Sequence, residues 1–234
     1  KVIHPVAVVP GGFSRSMSEA ERVEMLDGSR EQLEFARYAM KLAKDRIFSK
    51  YDSDTLSLGE IRTGFLGMVG IDDGALALHD GVLRLMQADG SFHEFSGREY
   101  TDFIGEHVES WSYGKFPYAH AWGEGFSMDP DSPRGIYRCN CLARLNVADR
   151  INTPLAQAEL EEFRSRFGRP VQSTMLYHWA RLIELLYACE RVVQLLEDTS
   201  ITDPRVRDEV WPRAGRGVGC VEAPRGTLLH DYST

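Results

Sequence analysis

The stretch Glu222-Ala223-Pro224-Arg225-Gly226 holds the side chains best placed for chemistry. Pro224 fixes the backbone and Gly226 frees it, so Arg225 projects from a stiff turn with five N–H donors to offer one small target. The same residues also read as an ordinary turn in which Arg225 pairs with a carboxylate, Glu222 being the nearest in sequence. Cys139-Asn140-Cys141 is the only close pair of thiols and has the chemistry of a soft-metal or redox site. Structural zinc normally takes four ligands, and no second pair completes a set, so Cys139 and Cys141 read as unpaired core or loop thiols. Cys189 and Cys220 are isolated. His79, His93, His107, His120 and His178 show no ligand spacing, and none is assigned a metal. Gly215, Gly217 and Gly219 hint at a nucleotide loop. Cys220 and Glu222 stand where the fingerprint needs its third glycine, however, and a strand and turn follow instead of a helix.

The bulk composition narrows the class. With 27 Lys and Arg against 35 Asp and Glu, the net charge is -8 and no basic cluster stands out. The electrostatic attraction on which nucleic-acid affinity rests is missing, so nucleic acid is not an expected partner. No stretch approaches the run of about 18 apolar residues that a membrane span needs. Four cysteines in 234 residues make no disulfide framework and suit a reducing cytoplasm. The chain opens at KVIHPV without an initiator Met and closes just after the Pro-Arg-Gly turn, so it reads as part of a longer polypeptide.

The elements expected to position these residues form an α+β, predominantly α body, a helical bundle with a small antiparallel sheet, over residues 1–234 as a single unit. Ser16 with Glu19, or Ser18 with Glu21, supplies a capping box for a helix over about 18–50. Val23, Leu26, Leu33, Ala36, Met40, Ala43 and Ile47 recur at the spacing of one buried face. Alternating apolar residues with turns at Asp80-Gly81 and Asp89-Gly90 predict a three-stranded meander over about 75–95. Helices follow over about 98–109, 155–167, where Pro154 sits at the start and Gly168 at the end, and 173–198. In the last, Leu176, Trp179, Ile183, Leu186 and Val193 form one stripe, and Leu182, Leu185, Cys189, Val192 and Leu196 a second beside it. That pattern predicts a helix buried within a bundle.

Together, GVGCVEAPRGTLLHDY, WSYGKFPY, LARLNVAD, TPLAQAELEEF, YHWARLIELLYACERVVQLLED and the opening IHPVAVVPGG resemble, in the same order, segments of the large subunit of nickel-iron hydrogenases. The resemblance spans the whole chain and is nearest to the cytoplasmic multimeric type, NAD-reducing or heterodisulfide-reductase-linked. It implies reversible oxidation of H2, with electrons passing to an iron-sulfur small subunit, then through diaphorase or reductase subunits to a soluble acceptor. In that family a nickel, and an iron carrying CN and CO ligands, are held by two Cys-x-x-Cys pairs. Neither pair occurs here, so the chain corresponds to the central part of the large subunit, and no metal is expected in it alone. By the same resemblance Arg225, positioned by Pro224, overlooks the open coordination position and assists proton handling, and His4 lies near the small-subunit interface. His230-Asp231-Tyr232 departs from the commoner His-His-Tyr, so Asp231 receives no role. Two alternatives share some of these features. One is the related quinone-site subunit of respiratory complex I, which has a similar Pro-Arg/Lys-Gly segment but no metals, and the other is a non-catalytic partner-docking helical module.

Overall fold

The computed structural model describes residues 8–211 and 213–234; His4 lies outside them. In chain order the elements are β1 (Val8–Val9), β2 (Gly12–Phe13), α1 (Glu19–Arg46), α2 (Ser53–Ser57), β3 (Gly64–Val69), β4 (Val82–Met86), β5 (Phe92–Phe95), β6 (Ile104–Val108), β7 (Lys115–Ala119), β8 (Tyr137–Arg138), α3 (Cys141–Val147), α4 (Pro154–Phe167), α5 (Tyr177–Glu197), β9 (Arg216–Ala223) and β10 (Gly226–Ser233). Short 3-10 turns join several of them.

Ser18 is the residue that caps α1. Its hydroxyl accepts from the Glu21 amide, and the Glu21 carboxylate accepts from the Ser18 amide at 2.9 Å, closing the capping box. The helix then turns Ala36, Met40 and Ala43 inward against α5. Val23 and Ile47, expected on that face, are 45% and 51% exposed. Arg22 and Ser29 take the inner positions near the N-terminus, because there the helix faces the polar C-terminal end of α5, where Arg22 donates to the Leu196 carbonyl. Phe48, just past α1, stacks on Trp179 of α5 with ring centres 4.7 Å apart. Phe163 and Phe167 of α4 meet the same indole edge-on, forming the aromatic centre of the larger core. The buried carboxylate of Glu190 on α5 accepts from the Leu155 and Ala156 amides at 2.8 and 2.9 Å. It thus satisfies the unpaired donors at the start of α4 and ties the two helices together.

The sheet over 75–95 differs from the expected meander. Its strand order is β5-β4-β3-β8, so the partner of β4 is Gly64–Val69 and not the ALAL segment. Residues 75–78 make isolated bridges to Val69 and Arg150 and offer the Leu78 carbonyl to Glu222. The turn at Asp89-Gly90 does join two antiparallel strands, while β8 adds a short parallel edge that no local signal announces. The helix expected over 98–109 is also replaced: a 3-10 turn, Gly97–Asp102, leads into β6, which pairs with β7. Ser96 and Glu99 make a capping box there, the signature of a helix start, but the chain becomes extended directly after the 3-10 turn. Among the described residues, two-stranded ladders β1-β2, β6-β7 and β9-β10 complete the set.

The second stripe of α5 is not enclosed as a bundle core would require. Of its residues, Leu196 is buried and Leu182 and Cys189 pack against the core, but Leu185 and Val192 are exposed, while Trp179, Ile183 and Leu186 of the first stripe are buried where α1, α3 and α4 contact the helix. The short helix α3 is buried at every residue between α5 and β3. Gly67 of β3 permits this approach: a Cβ there would lie 2.8 Å from Val147 and 3.2 Å from the Cα of Arg144.

Candidate functional site around the Pro224-Arg225 turn

β9 and β10 form a hairpin whose two-residue connection is Pro224-Arg225, with Ala223 paired to Gly226. Alternation along the ladder turns Val218, Cys220 and Glu222 inward and leaves Gly217, Gly219 and Val221 outward. Pro224 and Arg225 are both exposed. Among the described residues, no carboxylate pairs with Arg225.

Glu222 is held by a partner other than Arg225. Its side chain is completely enclosed and accepts from Arg144 Nη1 at 2.9 Å and from the Thr227 hydroxyl at 2.7 Å. The same Nη1 donates to the Ala223 carbonyl at 3.0 Å. The other edge of the Arg144 guanidinium makes a two-pronged pair with Glu184 of α5, at 2.6 and 2.7 Å. Arg144 therefore clamps the last two residues before Pro224 to the helical core. Behind the turn, Thr227 reaches back across the ladder to Glu222. Gly226, at φ +138°, runs so close to Cys139 that a Cβ would lie 2.5 Å from the cysteine's own. The turn is pinned on both sides while its tip stays open.

The electrostatics follow from one cation serving two carboxylates. Burial alone would lower Arg144, but Glu184 and Glu222 hold its guanidinium above the ordinary value, so it stays charged. Burial pushes the Glu222 carboxyl up, against the bonds it receives from Thr227 and Arg144. Cys139, beneath the turn, is pushed up to about 12 by burial with the Glu222 charge adding to it, and burial raises Cys141 to about 11. Both thiols are therefore protonated and inert at neutral pH. Cys141 points its sulfur at the Tyr177 carbonyl, and the Tyr177 hydroxyl donates to the Cys139 carbonyl at 2.9 Å. All four cysteines are free. Asp231 pairs with Arg216 at 2.7 Å and accepts from Tyr100 at 3.2 Å, while His230 and Tyr232 bond to each other at 2.8 Å.

Among the described residues, no group of three or more His, Cys, Asp or Glu side chains could hold a metal ion. A nickel-iron centre has no donor set among them. No helix among them is long and apolar enough to cross a membrane. What the arrangement supplies is a fixed cation with free donors on a turn braced from below.

Arg144 is the participant that sequence reasoning missed. It lies 78 residues from Glu222, and no local pattern joins them. The available signal was a lone charge in the otherwise apolar run CLARL, since a buried guanidinium demands a carboxylate.

No family model matches the chain. One component of the F420-non-reducing vhu hydrogenase of Methanococcus voltae is 45% identical over 235 residues, covering 100% of this chain and 53% of that protein. The beta subunit of the NAD-reducing hydrogenase HoxS of Cupriavidus necator is 36% identical over 242 residues, covering 99% and 48%. Among solved structures, an NAD+-reducing nickel-iron hydrogenase in the H2-reduced state superposes with a TM-score of 0.86 at 35% identity, over 99% of this chain and 49% of its own. The chain spans about half the length of the curated relatives it matches. Sequence and fold agree over that half, and there the chain corresponds to the large subunit of the nickel-iron hydrogenases.

Proposed function

We propose that this chain is the part of a hydrogenase large subunit that presents Arg225 to the reacting centre, in an enzyme that oxidises H2 reversibly. Electrons then pass to an iron-sulfur small subunit, and through further diaphorase or reductase subunits to a soluble acceptor in the cytoplasm. Solved hydrogenases of this fold are nickel-iron and nickel-iron-selenium enzymes, which implies a nickel-iron centre in the intact protein. The CN and CO ligands on that iron rest on the family resemblance, as does the place of His4 near the small subunit.

The observation that carries this reading is the hairpin itself. An exposed guanidinium without a carboxylate partner among the described residues sits on a turn fixed by buried bonds, in a chain that follows a solved NAD+-reducing hydrogenase along nearly its whole length. The planar guanidinium of Arg225 acts as a fixed set of hydrogen-bond donors. Such a preset donor lowers the energy of negative charge as it develops, because no reorganisation is needed at the moment of reaction. Pro224 limits the backbone freedom of the turn, and the guanidinium fork directs its bonds in a plane, which a lysine would not do.

The test is to express the complete large subunit together with its iron-sulfur partner and to follow H2-dependent reduction of an artificial electron acceptor. Turnover under H2, and none under argon, is the expected result. A correctly folded and metallated complex that reduces the acceptor from another donor, but never from H2, overturns the reading.

A further inference from the structure

We infer that Arg144 is a positioning residue for Arg225, acting through Glu222 and the Ala223 carbonyl. The inference rests on the role given to Arg225 above, and it assigns to that site a residue buried in a different element.

Three features carry it. First, Arg144 Nη1 bonds both the Glu222 carboxylate and the Ala223 carbonyl, the two groups immediately before Pro224, at 2.9 and 3.0 Å. Second, the guanidinium cannot swing, since Nε and Nη2 are engaged by Glu184 at 2.6 and 2.7 Å and the residue is almost wholly buried on α3. Third, Glu222 is bonded from the far side of the turn by Thr227, so the carboxylate links both strands just below the tip. A planar fork that contacts three groups in fixed directions transmits position, whereas a compact ammonium could satisfy the charge and leave the direction free. The guanidinium of Arg225 has no side-chain partner among the described residues to steady it, so its place depends on this backbone.

The experiment uses the intact hydrogenase complex with Arg144→Lys, alone and combined with Arg225→Lys. Hydrogen exchange at the amides of Arg225, Gly226 and Thr227 is read beside kcat and KM for H2. Arg144→Lys is expected to speed exchange at the turn about tenfold, with α4 and α5 unchanged. It should lower kcat about tenfold at an unaltered KM, and cost less than about twofold more when Arg225 is already lysine, because the two residues act as a unit. Unchanged exchange at the turn, or the full loss of kcat repeated on top of Arg225→Lys, overturns the proposal. If Arg144→Lys fails to fold, Glu222→Gln keeps the shape and the Arg144–Glu184 pair, and the same two readings decide. A wild-type complex that does not oxidise H2 sinks the functional reading alone, and the exchange result then settles whether Arg144 positions the turn.

Discussion

The guanidinium of Arg144 lies 2.9 Å from the carboxylate of Glu222, whose side chain is fully enclosed, and the same nitrogen reaches the carbonyl of Ala223. A cation contributed by a helix thus fixes a hairpin just below the tip that carries the open Arg225. The pair couples the stability of the core to the geometry of the site.

Truncating Arg144 to Met should be among the costliest single changes in the protein. It leaves Glu222 and Glu184 facing each other without the charge between them, and an uncompensated buried charge costs about 3–5 kcal/mol. Urea unfolding of the complete large subunit measures the loss. A change under about 1 kcal/mol, the range of exposed pairs, would mean the network is hydrated.

Glu222 sets a pH dependence whose sign is opposite to that of an ordinary ion-paired carboxylate. Burial raises its folded-state pKa above the usual 4.5, so folding favours the protonated form. The stability it contributes is present at low pH and is lost as pH rises through the folded-state value. Melting temperatures of wild type and Glu222→Gln, taken from about pH 4 to about pH 8, should therefore diverge, with the wild type losing ground relative to the variant as pH rises. A wild type that gains on the variant over that interval would show that the Arg144 charge outweighs burial.

Gly226 and Gly219 offer a matched comparison on one hairpin. A methyl group at Gly226 meets Cys139 at 2.5 Å in a backbone region that other residues avoid, whereas nothing lies within 4 Å at Gly219. Gly226→Ala should cost about 1–3 kcal/mol, and Gly219→Ala should stay within about 0.5 kcal/mol. Thermal unfolding of both variants checks the contrast.

Trp179 is enclosed by Phe48, Phe163 and Phe167, and its indole N–H has no partner among the described residues. Trp179→Ala should cost about 3–5 kcal/mol through the cavity it leaves. Trp179→Phe retains the stack on Phe48 and removes an orphaned donor that itself costs about 1–3 kcal/mol, so its loss should be clearly smaller. Equilibrium denaturation ranks the two.

What the sequence made legible follows from range. α1 begins where Ser18 and Glu21 form their box, α4 starts at Pro154, and the Asp89-Gly90 turn lies between paired strands, each a device that acts over three or four residues. β3 escaped because all six of its residues, GFLGMV, are buried, so it shows no alternation, while the alternating ALAL beside it forms only bridges. The turn after Ser96 carries a genuine helix-start signal that the following β6 pairing overrides. At the site, Pro224 and Arg225 stand out locally and do form the hairpin tip, but the partner of Glu222 lies in α3 and is invisible to any local pattern.

The most direct measurement is H2 oxidation by the complete enzyme carrying Arg225→Lys and Arg225→Ala, with melting temperature followed in parallel. Arg225 is exposed and unpaired among the described residues, so stability should shift by no more than about 0.5 kcal/mol. The alanine variant should lose about 100- to 1,000-fold in kcat, as expected when a preset donor is removed, and lysine should recover only a part. Both variants keeping kcat within about twofold of wild type, with metal content unchanged, would contradict a role for the braced guanidinium in turnover.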